Sequence, residues 1–553
     1  MAKQVAKTRS KKRATKPTNF IGMESPYRGA STVLKELALY RPTSGSADST
    51  ILRDSAMLRA RARDLERNNA YALNAVRMRG DAVAGSGVKL ALKPDWRMLG
   101  ITPEVCSDWV DEVTREWETY ADSSDCACDA RRQATFSQFF RQIDRTLFVE
   151  GEALGIFELK KSDYSPYQTC FNLIDIDRLS NPNGQGDTAT LRGGIELDQY
   201  GEPVAYWIQN SHPNDYYYDA DRSWRRIVRR TPWGRPIALH LFQATRAEAS
   251  RGVSEFAAAI VPMRMHGQYS DMELQSAIVH AMYAAVIEST LDYNQAANVM
   301  GAEYTRKIVN EFNGNPITAL TLDHLRSVSP FHREAGVTMD GVKIPHLIPN
   351  EELKLLRSEH PNSNFDAFDA AFIRQFAAAL GVENHELAKN YSDVNYSAAR
   401  TALSAAWRTY TMRRQFVNRG FGMPFFCAWL EEAIAIGQLN LPAGVKSFLE
   451  NRNSLCRGRF ISWGKPLIDP TKERKGQAMG LDIGVDTLED ICADEGNNYR
   501  DILDQRAAEK RYKEKLGLTP EDLMSAAPSG KPGGNDFGDP ANVGDGTTGG
   551  AAE

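Results

Sequence analysis

The stretch ARDLERNNAYALNAVRMRGDAVAGSG, residues 62–87, decides how the chain is divided. Up to Met78 this stretch is helical in composition and rich in arginine, and the glycines at 85–87 end that pattern. Residues 88–92 then alternate along the chain as a strand does. A helix, a glycine turn and a strand in this order predict that the folded body begins near Leu52.

Two amphipathic helices are predicted after this strand. Thr102-Pro103-Glu104 supplies an N-cap, a proline at the first helical position and an acid in the first turn. Thr135 and Gln138 have the spacing of a capping box. Apolar residues follow both signals at helical spacing and are predicted to be core: Val105, Trp109, Val113, Trp117 and Tyr120, then Phe136, Phe139, Phe140, Ile143 and Leu147.

The remainder of the body is predicted to alternate between strands and helices. Residues 151–242 change to period two, and Gly194–Ile208 reads as a β-hairpin with a long turn. Residues 253–290 are predicted to return to helix, interrupted by Pro262 and Gly267. A further helix is predicted from a cap-like Ser363 to a stop at Gly381, and residues 397–436 are again helical. The fold class is therefore mixed α+β and helix-rich.

Length and composition limit the class of protein. The 553 residues are 42% hydrophobic and 25% charged, which predicts a packed core in several domains or one large subunit. The apolar runs fall short of the roughly 18–20 residues that cross a bilayer, and no secretory signal is present, so we expect a cytosolic protein without a membrane partner. Seven cysteines, an odd number, predict reduced thiols.

The charge is distributed unevenly. Residues 1–16 contain seven lysines and arginines and no acid, which leaves 60 basic against 71 acidic residues, a net charge of −11, for the rest of the chain. A body that holds DNA tightly through its phosphates would carry a basic excess. The basic arm could contact DNA, scaffold or capsid, or could be a solvated tail.

Positive charge within the body is concentrated at residues 222–235, which hold six arginines and two tryptophans. Such a mixture can stack on and pair with nucleic acid, or dock an acidic partner. A solvent-facing loop on an acidic body is the alternative interpretation. The candidate contacts for a partner or DNA are Arg222, Arg225, Arg226, Arg229, Arg230 and Arg235.

Two segments look like catalytic motifs, and each lacks a residue that the chemistry requires. Gly80 and Gly85 have the spacing of a phosphate-binding loop, but Ser86 stands where a lysine must reach the phosphates. His385 and Glu386 open like a zinc-protease helix, but Lys389 replaces the second histidine ligand. We therefore predict no catalytic residue and no cofactor, while a site without a local signature is not tested by these patterns.

A cysteine pair at Cys126 and Cys128 could be half of a metal site. No second pair accompanies it at ligand spacing, and the nine histidines do not cluster nearby. We predict no metal site.

Several segments, in order, resemble the lambda family of phage portal proteins. They are residues 62–87, 178–183, 274–288, 343–349, 377–382 and 390–400. The resemblance spans about residues 52–500 and leaves out the basic arm and the glycine-rich tail.

This resemblance implies a portal fold with wing, stem, clip and crown regions, in a ring of twelve identical subunits at one capsid vertex. The ring would conduct double-stranded DNA during packaging and ejection, and would dock the terminase large subunit, which hydrolyses ATP, and head–tail joining proteins. Major capsid and scaffold proteins are further expected partners, in the virion and in the host cytoplasm during assembly. Two other functions stay open: a DNA-processing packaging enzyme, and a non-portal virion interaction protein.

The same resemblance suggests a division of the chain. The predicted regions are a basic mobile arm, 1–50; a wing, 51–250; stem and clip, 251–362; the helix that follows the tunnel loop and the return to the wing and crown base, 363–470; a helical crown, 471–524; and a disordered glycine-rich tail, 525–553.

Overall fold

The computed structural model describes residues 27–282 apart from 33 and 218, then 365–392, 395–466 and 469–516. It also describes the backbone of four short strands at 285–289, 337–339, 342–344 and 351–355. The basic residues 1–16, the tail 525–553 and the cap-like Ser363 lie outside the described residues.

The arginine-rich opening forms two helices, α1 (Ala47–Asn68) and α2 (Ala70–Val83), in place of the single predicted one. Asn69 separates them, because its backbone is extended (φ −119°, ψ 121°) and its side chain accepts a hydrogen bond from the Ala72 amide at 3.0 Å. A helix therefore ends and a capped one begins at the same residue. Helix α1 starts inside the predicted arm, and residues 34–39 form turns and bends before it.

The capping signals place the next helices as predicted. After α3 (Trp96–Leu99) come α4 (Pro103–Ala121), capped by Thr102, and α5 (Phe136–Glu150). In the capping box of α5, the Gln138 amide donates to Thr135 Oγ1 at 3.4 Å and the Thr135 amide donates to Gln138 Oε1 at 2.9 Å.

The strands form small antiparallel sheets, and those at residues 89–92 and within 151–242 follow the predicted period-two pattern. They are β1 (Lys89–Leu92), β2 (Glu152–Leu159), β3 (Thr169–Ile174), β4 (Leu191–Arg192), β5 (Ile195–Leu197), β6 (Pro203–Gln209), β7 (Trp224–Val228), β8 (Ala238–Phe242), β9 (Ala285–Ser289), β10 (Val337–Met339), β11 (Val342–Ile344), β12 (Glu351–Leu355) and β13 (Gly458–Ile461). One sheet has the order β3-β2-β8 and another β4-β5-β6-β7, whose β5 and β6 are the predicted hairpin. Three two-stranded sheets pair β1 with β13, β9 with β12, and β10 with β11.

The prediction for residues 253–290 is wrong in two respects. Helix α6 (Ile260–Met282) runs through Pro262 and Gly267 without interruption, and residues 285–289 are strand β9. Pro262 lies in the first turn of α6, where backbone N–H groups have no helical partner to lose.

The C-terminal half is mostly helical. Its helices are α7 (Phe365–Leu380), α8 (Asn384–Ala388), α9 (Tyr396–Val417), α10 (Met423–Ala435), α11 (Phe448–Leu455), α12 (Pro470–Asp482), α13 (Leu488–Asp494) and α14 (Tyr499–Leu516). A π-helical turn, Asn418–Gly422, joins α9 to α10. Gly381 ends α7 with a left-handed backbone (φ +67°), as predicted.

An aromatic core joins α4, α5, α10 and β13. Trp117 is fully buried, and its ring lies edge-on to Phe136 at 5.0 Å, Trp429 at 5.1 Å and Phe426 at 5.4 Å between ring centres. Such pairs add roughly 0.5–1.5 kcal/mol each beyond the area that they bury. The predicted stripes of α4 and α5 face this core, with Val105 only partly buried. The fold is mixed α+β and helix-rich, as predicted.

Candidate functional site

The arginine-rich segment is an edge strand and the turn that follows it. Strand β7 pairs with β6, and Arg225 and Arg226 lie opposite Ile208 and Trp207. Ile227 is buried while both arginines are exposed. Because β7 is the last strand of its sheet, charged side chains here also keep other chains from adding to the edge.

Arg226 is occupied within its own sheet. Its guanidinium donates to Glu196 at 2.9 and 2.6 Å, and the indole of Trp207 donates to the same carboxylate at 2.7 Å. The hydrogen bonds from Arg226 lower the pKa of Glu196. The charge of Arg226 is therefore neutralised by Glu196 on the same face of the sheet, which makes Arg226 less available to a partner.

The other five candidate arginines differ in whether they form an ion pair or a hydrogen bond within the subunit. Arg229 contacts Glu202 at 2.7 Å, Arg235 donates to the Thr169 hydroxyl at 2.7 Å, and Arg225 lies 4.0 Å from Glu158. Within the part of the chain that the structure describes, Arg222 and Arg230 have no carboxylate at ion-pairing distance. These two exposed side chains are the freest of the six.

Two arginines of α1, Arg59 and Arg63, form ion pairs within the subunit. Arg59 donates to Asp177 at 2.8 Å, and Arg63 pairs with Glu150 at 2.9 Å, with Asp175 at 3.2 Å and with Asp177. These ion pairs hold α1 against the end of α5 and the segment that follows β3. The composition of the helix did not reveal this role, since the acidic partners lie about a hundred residues further along the chain.

Of the two arginines of α2, Arg79 is buried and Arg77 is exposed. Arg79 makes three hydrogen bonds to the buried Asp144 of α5 at 3.0–3.2 Å, and one to Glu255 at 2.9 Å. Arg413 of α9 shares Glu255 at 2.9 Å. The guanidinium of Arg79 also lies 4.4 Å from the ring centre of Phe148. This network joins α2, α5 and α9.

The catalytic look-alikes have structural surroundings. The indole of Trp463 donates to Ser86 Oγ at 2.9 Å, and a Cβ on Gly85 would lie 2.7 Å from the same ring. The space beside this glycine turn is therefore filled by a tryptophan side chain. His385 lies in the short helix α8, which ends at Lys389 in a left-handed conformation (φ +54°).

One group of possible metal ligands is found among the described residues. Asp175, Asp177 and His212 bring ligand atoms within 4.8 Å of one another. Burial works against the charge of Asp177, yet the guanidiniums of Arg59 and Arg63 hold the pKa of its carboxyl below the ordinary value. Because these guanidiniums already neutralise the acids, the group does not fit a cation.

Comparison with known families identifies the class of protein. The profile described as "Phage portal protein, lambda family" matches residues 35–414. This chain belongs to the lambda family of phage portal proteins.

Individual relatives agree with this family over most of the chain. The portal protein of Escherichia phage N15 is 32% identical over 494 residues, which are 89% of this chain and 91% of that protein. Portal protein B of Escherichia phage lambda is 31% identical over 501 residues, 90% of this chain and 92% of that protein. Among solved structures, the neck of an empty gene transfer agent particle, computed with C6 symmetry, is 14% identical with a TM-score of 0.43, over 87% of this chain and 96% of the other.

None of the helices in the described ranges is long and apolar enough to span a membrane.

Proposed function

We propose that this chain assembles with identical copies into a twelve-subunit ring at one vertex of the capsid, and that double-stranded DNA passes through the ring during packaging and ejection. Membership of the portal family carries the proposal. In this role the protein acts in the virion, after assembly in the host cytoplasm. Terminase, head–tail joining proteins, and the capsid and scaffold proteins are its proposed partners.

Helix α6 has an apolar surface that supports self-association. Five of its apolar side chains are more than half exposed: Val261, Met265, Met272, Leu274 and Ile278. Exposed apolar groups at this density on one helix are typical of an interaction surface. A second copy of this chain is the occupant that the ring requires.

The charge of the body supports a channel through which DNA slides. Arg59, Arg63 and Arg79 form ion pairs with carboxylates of the same subunit. They do not add to the phosphate contacts that make binding to DNA tight. A net charge of −11 outside the basic arm also favours weak binding of the body to DNA.

We propose that the protein is not itself an enzyme, and that the energy for DNA movement comes from ATP hydrolysis by the terminase. Ser86 contacts Trp463 and stands where a phosphate-binding lysine would be needed. The rival function, a DNA-processing enzyme, predicts that the purified protein cleaves plasmid DNA when Mg²⁺ is added.

The particle mass tests the ring. Twelve copies of the 61.6-kDa chain give about 740 kDa, which sedimentation velocity separates readily from a monomer. Negative-stain images should show rings with a central hole. A protein that stays monomeric under all assembly conditions would contradict the proposal.

The arginine-rich segment is our proposed contact for a capsid-assembly partner, with Arg222 and Arg230 more available than the four arginines that have partners in the subunit.

A further inference from the structure

A cleft of about 470 Å³ lies beside the turn that follows β7. One wall is formed by residues 229–241, which include that turn and most of β8. The other wall is formed by the π-helical turn, the start of α10 and the end of α11. The cleft therefore joins elements that are about two hundred residues apart in the chain.

Four arginines line this cleft: Arg229, Arg230, Arg419 and Arg452. None of the described residues that line it is acidic. Of the acids nearby, Glu202 pairs with Arg229 at 2.7 Å, and Glu431 accepts a hydrogen bond from Trp233 at 2.8 Å through one of its two carboxylate oxygens.

Three of the four guanidiniums have no carboxylate partner in the part of the subunit that the structure describes. Arg230 and Arg419 are exposed, and neither forms an ion pair there. Arg452 is half-buried, donates from Nη1 to the Gly234 carbonyl at 2.9 Å and also lies within hydrogen-bonding reach of the Cys427 thiol, which fixes its position. A concentration of unpaired guanidiniums in one concave site is suited to bind anions, because each offers a planar pair of donors to an oxyanion.

Between the arginines, part of the lining of the cleft is apolar and closely packed. A Cβ on Gly420 would lie 2.6 Å from Leu241 Cδ2, so the glycine allows the π-helical turn to lie directly on β8. Met423 and Pro424 continue this apolar lining at the start of α10. Extra turns of this kind inside helices occur frequently at functional sites.

We propose that this cleft is a docking site for a carboxylate-bearing segment of a partner protein, in which acidic side chains meet Arg230, Arg419 and Arg452 and an apolar side chain contacts the apolar lining at Leu241 and Met423. The inference rests on the proposed function, because it assigns the chemistry of a partner to the arginine-rich segment. It also adds two residues to that segment, since Arg419 of the π-helical turn and Arg452 of α11 lie far from it in the chain.

The shape of the cleft favours a protein segment over nucleic acid. A DNA duplex is about 20 Å wide and presents phosphates and sugars on its outside, so it cannot enter a site of this volume. A polypeptide supplies both a carboxylate and an apolar side chain within a few residues, and the cleft has a complement for each.

Binding is tested on the assembled protein with a fluorescently labelled peptide of alternating aspartate and leucine. A peptide with asparagine in place of aspartate, a short DNA duplex and inorganic phosphate are the matched probes. We expect the aspartate peptide to bind, and the double variant R230Q/R419Q to weaken it by about tenfold or more, as the loss of charge-assisted hydrogen bonds predicts.

The double variant R61Q/R67Q is the control, because it removes the same charge from two exposed arginines of α1 that do not line the cleft. It should bind the aspartate peptide like the unmodified protein. Equal weakening by both double variants, or equal binding of the aspartate and asparagine peptides, would overturn the proposal. So would competition by phosphate at the concentration of the peptide, which indicates a free-anion site, or a loss of duplex binding alone in R230Q/R419Q.

Cys427 provides a second readout, because its half-buried thiol lines the cleft. Five of the seven cysteines are buried, and Cys126 and Cys427 are partly exposed. With Cys126 replaced by serine, Cys427 is therefore the remaining partly exposed cysteine, and its alkylation by iodoacetamide can be located by mass spectrometry. The aspartate peptide should slow this alkylation in the unmodified cleft and not in R230Q/R419Q. An unchanged rate at saturating peptide would contradict the site.

The particle mass, measured on every variant, keeps this proposal separate from the ring. Rings that bind no peptide would overturn the cleft alone. Peptide binding by a protein that never forms rings would bear against the portal role alone.

Discussion

Arg251 donates through Nε to both carboxylate oxygens of Glu152, at 2.9 and 2.7 Å, and both side chains are buried. His240 contacts the same carboxylate at 2.9 Å, and Arg59 of α1 does so at 3.4 Å. Arg251 also donates to the Gly193 carbonyl at 2.6 Å. This cluster joins α1, both larger sheets and the segment before α6, so several elements meet at one buried carboxylate.

Replacing Arg251 with leucine should strongly destabilise the subunit. Glu152 would keep only the longer ion pair with Arg59 and the contact with His240, and breaking a buried ion pair costs about 3–5 kcal/mol when no other partner remains, so we expect a loss toward the lower end of this range. The midpoint of thermal unfolding, followed by circular dichroism, measures the loss. The exposed pair Arg226–Glu196 is the control, since R226Q should cost no more than about 1 kcal/mol. Similar losses in the two variants would show that Arg251 is not a central support.

Acidification should destabilise the protein through the same cluster. Burial lowers the pKa of His240 below 6.5, and Arg251 and His240 hold the pKa of Glu152 well below 4.5 despite its burial. In both cases the unfolded chain binds a proton more readily than the folded one, so stability falls as the pH falls. The decline should begin below about pH 6.5 through His240 and steepen below about pH 4.5 through Glu152.

The variant H240Q isolates the first part of this decline. It should be less sensitive to pH between about 6.5 and 5 than the unmodified protein, because glutamine does not titrate. The unfolding midpoint measured across that range gives the slope. An unchanged slope would remove His240 as its source.

Gly420 should tolerate no side chain. A Cβ there would lie 2.6 Å from Leu241 Cδ2 and 2.9 Å from its Cγ, and overpacking of this kind costs about 1–3 kcal/mol. The second substitution L241V should recover part of the loss. The control is G476A in α12, where a Cβ meets nothing within 4 Å and alanine should gain about 0.5–1 kcal/mol. A G420A protein as stable as the unmodified one would contradict the close contact.

Capping residues predicted the beginnings of α4 and α5 correctly. Thr102 and the pair Thr135–Gln138 are local signals, since a cap is made within one turn of chain. Asn69 shows the limit: an asparagine between two helix-forming segments can stay in a helix or cap a new one, and packing decides.

The site itself was only partly predictable. The six arginines at 222–235 could be found by composition, but which of them are free depends on acids in other strands, as with Arg226 and Glu196. Arg419 and Arg452 come to the same cleft only through the packing of α10 and α11 on β8. A sequence holds no local sign of such contacts.

The exposed face of α6 gives a direct test of assembly. Met272 is 68% exposed, and we expect a second subunit to cover it in the ring. The substitution M272E should lower the fraction of protein in rings at a given concentration, because assembly would bury an unpaired charge at a cost of several kcal/mol. Q142E places the same charge on an exposed polar position of α5, outside α6, and should leave assembly nearly unchanged. Sedimentation velocity gives the ring fraction, and circular dichroism shows whether the monomer keeps its fold. If M272E and Q142E assemble equally well, α6 does not contribute Met272 to the subunit interface.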